Sequence, residues 1–185
     1  MQWLVDLSLK IFGGNPYLSV IAFSFLPVIE IRGAIPLGVN MGLTIWQSFL
    51  FSLIGSFFAS ILIVFLLPYI LKLLEKTKFY QKFLNILLPK IEKLKNGKFN
   101  IYFALLLFVA IPIPLTGVFT GSCLACICKL NKLKSLIAIN AGNIIAGTII
   151  SLITLLFGSF SIYITLFFMV MMIVLVVVYL TKLLK

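Results

Sequence analysis

Apolar positions in this chain come in blocks too long for a core strand or an ordinary amphipathic helix. Ile45 to Leu71 is a run of apolar and small side chains, and the 47 residues between Lys134 and Lys182 carry no formal charge. One crossing of the hydrocarbon takes about 20 helical residues. The first block therefore predicts one crossing helix, with Pro68 ending or kinking it. The second predicts two, Ser135 to Gly158 and Ser161 to Thr181. No run shows the ten-residue polar and apolar alternation of barrel strands, so the predicted fold is an all-α integral membrane protein.

Two further apolar segments are interrupted by proline and glycine at matching places, Phe25 to Gly38 (FLPVIEIRGAIPLG) and Ala110 to Gly121 (AIPIPLTGVFTG). Broken helices free backbone polar groups that only a protein-lined cavity satisfies at membrane depth, and paired breaks in two halves point to a transport site. Neither arm around either break is long enough to cross alone. Residues 16 to 42 thus predict a re-entrant helical hairpin opening outward, and Phe99 to Cys128 a second one opening to the cytoplasm. Hairpin plus crossing helix then recurs as an inverted repeat. Residues 1–73 form the first repeat, 74–98 a linker, 99–158 the second repeat and 159–185 an extra C-terminal transmembrane helix, all within one membrane domain. At a constant offset of 87, Pro27 falls on Pro114, Gly55 on Gly142 and Ala59 on Ala146.

Composition and charge sharpen this picture. The 185 residues are 63% hydrophobic and only 10% charged, with mean hydropathy +1.25, far from the balance of a soluble domain. The net charge of +11 gathers beside apolar spans rather than along a soluble face, which argues for membrane topology and against nucleic acid. Eight lysines and two glutamates lie between Lys72 and Lys98, and none of the lysines lies in residues 11–71. The positive-inside rule therefore places the 74–98 linker, an amphipathic surface stretch able to meet anionic headgroups, and the C-terminus in the cytoplasm of a multi-pass cell-membrane protein. Residues 1–12 predict a short interfacial helix rather than a cleaved signal peptide. Cys123, Cys126 and Cys128 share one apolar segment with no histidine in the chain, so they read as small buried hydrophobes rather than a metal site. No nucleotide loop, GxSxG or HExxH pattern is present, so no enzyme and no cofactor are expected.

The candidate chemistry sits at the breaks. Glu30 and Arg32 are the only charged residues between Lys10 and Lys72. A charge in the middle of a membrane helix costs about 2.5 to 3.5 kcal/mol on insertion scales, so each must be offset. Residues two apart on a regular helix do not face one another. A direct pair therefore requires backbone unwound around Pro27, Gly33 and Pro36; alternatively each charge meets its own partner in the second break. Half-helix N-termini suit an anion, Arg32 adds a planar fork for it, and Glu30 is a carboxylate able to couple movement to a proton. The second break offers Pro114, Thr116, Gly117 and Thr120 with their backbone. Asn140 and Asn143 lie on a small-residue face of the following helix, where an amide needs a partner.

LPVIEIRGAIPLG (Leu26 to Gly38) and IPIPLTGVFTGSCLA (Ile111 to Ala125) resemble the two signatures of the small multidrug export protein family, E-x-R-G-[AS]-I-P-x-G and P-x-P-G-T-G-A-x-T-G. The first match covers Glu30, Arg32, Gly33, Ile35, Pro36 and Gly38. The second departs at Leu115 and Val118. Two facing hairpins are also similar to the DedA and VTT membrane proteins, a resemblance that implies lipid translocation.

The resulting expectation is a secondary transporter, proton-coupled through Glu30, for an amphipathic substrate such as an anionic-headgroup lipid. Cationic drug export and a non-transporting scaffold are the alternatives. Its partners would be membrane lipids, the substrate and, for so small a chain, a second copy in a homodimer.

Overall fold

The computed structural model describes residues 12–27, 29–74, 100–113 and 116–158. The expected interfacial helix, the linker beyond residue 74, the C-terminal helix and Pro114 lie outside the described residues. What is described is all-helical: α1 (Pro16–Phe25), α2 (Glu30–Asn40), α3 (Ile45–Leu74), α4 (Ile101–Ala110), α5 (Val118–Ile127) and α6 (Lys132–Phe157). Two of these, α3 and α6, contain 26-residue stretches long and apolar enough to cross a membrane.

Helix starts follow from local chemistry. The Asn15 side chain accepts from the Tyr17 and Leu18 amides, Asn100 from Tyr102, and Asn131 from Leu133 and Lys134. Each satisfies amides that the first helical turn leaves unpaired. Ahead of α3, Thr44 and Gln47 cap each other: the Thr44 amide donates to Gln47 Oε1 at 3.0 Å and the Gln47 amide to Thr44 Oγ1 at 3.3 Å. α2 and α5 differ, since their N-caps Ile29 and Gly117 make no side-chain cap bond.

The chain turns back at each break. α1 runs alongside α3, with the Tyr17 ring 4.8 Å from that of Phe51 and Gly55 pressed on the Ile21 carbonyl. α2 returns between them, burying Ala34 with Val20 and Leu43. In the second half α4 lies along α6, where a Cβ on Gly142 would come 2.5 Å from the Leu106 carbonyl. α5 then returns against α4 and α6, with Val109, Val118 and Ile139 in one core cluster.

The halves interlock through α2 and α5, each of which also contacts the long helix of the other half. α2 packs on α6, joining Ile31 and Ile35 to Ile150, while α5 packs on α3. α3 and α6 cross antiparallel: Asn143 Nδ2 donates to Ser56 Oγ at 2.7 Å, and Asn140 Nδ2 to Ser60 Oγ at 3.0 Å. Contrary to one expectation, α3 does not end at Pro68 but continues to Leu74. A proline removes the donor for the carbonyl four residues earlier. That carbonyl, on Val64, instead accepts from Cys126 Sγ at 3.8 Å.

Polarity is turned inside out relative to a water-soluble protein. Ser48, Ser52, Ser56, Ser60, Ser122, Asn143 and Thr154 are buried, while Trp46, Phe58, Phe65, Tyr69, Ile137 and Leu156 face outward.

Candidate functional site

The two breaks come together around Glu30 and Arg32. α1 stops because Leu26, preceding Pro27, takes the extended conformation (φ −78°, ψ 135°) that a residue before proline favours. α2 then opens on Glu30 with φ +48°, a left-handed conformation costing a non-glycine residue about 1–2 kcal/mol. This departure from regular helix lets residues two apart meet. Arg32 Nη1 donates to Glu30 Oε2 in a direct ion pair, and each residue is only 6% exposed.

Both expected solutions are realised, because the pair also engages the second half. Arg32 Nη2 donates to the Val109 carbonyl at 3.3 Å, the Ile111 carbonyl at 3.1 Å and Thr116 Oγ1 at 3.2 Å. The Val109 carbonyl belongs to the last turn of α4, where helical partners run out. Thr116 relays the contact: its hydroxyl accepts from Arg32 and lies within donating distance of the Ile111 and Ile113 carbonyls, at 2.7 and 2.6 Å. Glu30 Oε1 accepts from the Phe119 amide at 3.2 Å. Since Gly117 has no side chain to offer, the carboxylate of the other half caps α5. Gly117 sits so close to the pair that a Cβ there would overlap Glu30 Oε2.

The other predicted residues occupy different places. Gly33 and Pro36 lie buried inside α2, so the departure from regular helix ends at Glu30 and does not extend to them as expected. Thr120 is half-buried one turn into α5, outside the network around the pair. Asn140 and Asn143 hold the α3–α6 crossing through their amide nitrogens. Freed carbonyls and amides of the second break are the expected kind of partner, but residue types do not single out Val109, Ile111 and Phe119, which contribute through their backbone. Their one signal is position, flanking Pro112 and Gly117 where helix hydrogen bonds must fail.

Among the described residues no group of three His, Cys, Asp or Glu side chains is placed to hold a metal. A separate apolar groove of about 140 Å³, lined by Ile45, Trp46, Phe49 and Leu152 among others, shares no residue with the ion-pair network. The site chemistry is thus one guanidinium, one carboxylate, the Thr116 hydroxyl and the freed dipoles of a broken helix.

Compared with known proteins, the chain matches no curated protein and no solved structure. The likeness to DedA and VTT proteins accordingly finds no support there. A family model does match, over residues 30–149, nearly two thirds of the chain, including Glu30, Arg32 and the whole second break. The chain with this buried pair belongs to the family described as "Putative small multi-drug export protein".

Proposed function

We propose that the chain is a secondary membrane transporter whose binding site lies between the two helix breaks, at mid-depth in the bilayer. One observation carries this reading: a buried ion pair at the break of one half is satisfied by freed backbone at the break of the other. Such half-helix ends at a repeat interface are where transporters hold substrate and coupling ion.

Lengths support the depth. Each short helix of 10 or 11 residues spans about 15 Å, half of a hydrocarbon core of about 30 Å. α1–α2 and α4–α5 are therefore re-entrant pairs that enter and leave on the same side. The Ser56–Asn143 bond supports the inverted repeat, because these residues are separated by the sequence offset of 87 and touch each other. Under an approximate two-fold, only positions on the axis meet their own equivalents. Gly55 and Gly142, at the same offset, each receive the short helix of their own half. On this reading the protein is multi-pass in the cell membrane with the 74–98 linker and the C-terminus cytoplasmic, and it is not an enzyme.

The cargo that fits is amphipathic with an anionic headgroup, held by Arg32 and the α5 N-terminus, with Glu30 exchanging a proton. Cationic drug export is the second reading. The family description favours it, and so does the pairing of Arg32, whose charge is neutralised by Glu30 and therefore does not repel a cation.

Flux into proteoliposomes separates these. An anionic-lipid carrier loses translocation in both Glu30→Gln and Arg32→Ala. If Arg32→Ala instead improves uptake of a lipophilic cation, drug export is correct. If neither variant alters any flux while both lower the melting temperature, the pair is a structural pin and the protein a scaffold.

A further inference from the structure

Resting on the transporter reading for its cargo alone, we propose that Glu30 is a tethered ligand of an oxyanion site, and that a carboxylate or phosphate-ester headgroup replaces it there together with one proton. The donors of that site are Arg32 and the first turn of α5.

Three observations carry this. First, the Glu30 carboxylate spans two donors from different halves, Arg32 Nη1 and the Phe119 amide, as a free carboxylate would. The missing Cβ of Gly117 leaves the room its oxygen occupies. Second, Arg32 Nε is buried without a partner, in a residue 6% exposed whose guanidinium already faces Gly117. This donor is unused in the Glu30-bound arrangement. Third, Glu30 occupies the site with a left-handed backbone at φ +48°. A sparsely populated conformation is held by surrounding contacts and relaxes when they are exchanged.

Charge balance then fixes the stoichiometry. The site holds Arg32 positive and Glu30 negative, net zero. Among the described residues Arg32 is the one charged group paired with Glu30. The titratable groups on neighbouring elements are Tyr17 of α1, Tyr69 and Lys72 of α3, Tyr102 of α4, Cys123 and Cys126 of α5, and Lys132 and Lys134 of α6; Cys128 and Lys129 follow α5. The bonds of the carboxylate run to Arg32 and the Phe119 amide. When an anion enters and Glu30 leaves Arg32, Glu30 takes a proton from water, and the site remains neutral in a medium where a net charge is costly. The anion and the proton bind as a unit.

The test uses the purified full-length chain in lipid nanodiscs, with stabilisation against heat as the binding signal. The probes are formate, inorganic phosphate and short-chain phosphatidylglycerol, the last distinguishing a lipid headgroup from a free anion. In the native protein the half-saturating concentration should fall about tenfold for each pH unit of acidification. In Glu30→Gln it should be lower and independent of pH, and Glu30→Gly should bind formate in the vacated place. The double variant Glu30→Gln/Arg32→Met, and Gly117→Ala, should bind none. The inference is overturned if no probe stabilises Glu30→Gln, or if its binding keeps the native pH dependence. Should Glu30→Gly not fold, Glu30→Gln alone decides. Flux without anion binding in Glu30→Gln removes this inference and leaves the transporter reading. Binding as described without flux of any headgroup does the reverse.

Discussion

The two breaks differ in what they bring to their shared site. The first, Leu26 to Ile29, is short and delivers charge: the helix it opens begins with Glu30 and carries the only arginine of the chain. The second, Ile111 to Gly117, is longer and uncharged, and together with the helix ends on either side of it supplies two carbonyls, a hydroxyl and an amide. One half thus holds ions that membrane burial would forbid, and the other holds unpaired dipoles that burial would equally forbid. Each solves the other's problem only while the halves are together. The comparison teaches that the site is conditional: its charges and freed backbone groups, Arg32 Nε apart, are partnered in this arrangement, and any arrangement that separates the breaks must find new partners for both.

The strongest way to break this complementarity is to remove one ion. Arg32→Met leaves the Glu30 carboxylate buried beside orphaned carbonyls and should cost about 3–5 kcal/mol, read by thermal or denaturant unfolding in detergent. Adding Glu30→Gln to it should recover much of the loss, because a neutral pair leaves no uncompensated charge. Next, Gly117→Ala places a methyl group where the carboxylate sits and should cost about 1–3 kcal/mol by overpacking. A melting temperature equal to the native one would show that the breaks are not in contact. Smaller is the effect away from the tips: Asn143→Ala removes the bond to Ser56 at the helix crossing and should cost about 0.6–1.7 kcal/mol. The finest test compares Glu30→Gly with Glu30→Ala. Both delete the carboxylate, but glycine accepts the left-handed backbone, so it should be the more stable by about 1 kcal/mol.

Much of this arrangement is legible in the sequence. Pro27, Pro112 and Gly117 mark where short helices end, and the uncharged runs after Ile45 and Lys134 mark the two long ones. Glu30 and Arg32 stand out because charge is rare in such a chain. The extent of unwinding was not legible. Gly33 and Pro36 look like breakers, yet both are accommodated in α2, and Pro68 passes within α3 because Cys126 from the other half satisfies the carbonyl it frees. Such tertiary rescue has no local signature. The Thr44–Gln47 cap is the opposite case, a T-x-x-Q pattern with a local signature in the sequence. The backbone donors and acceptors of the site could not be chosen from residue types at all, since every residue carries them.

The packing of α2 on α6 and of α5 on α3 has a consequence for how the molecule holds together. Neither half finishes its own interior alone, because α2 and α5 each bury one side in their own half and another against the long helix of the other half. Covalent continuity between residues 74 and 100 is therefore not what joins them. Two separately synthesised fragments divided in that interval should recognise each other within the membrane and rebuild one body, as two clasped hands need no cord between the wrists.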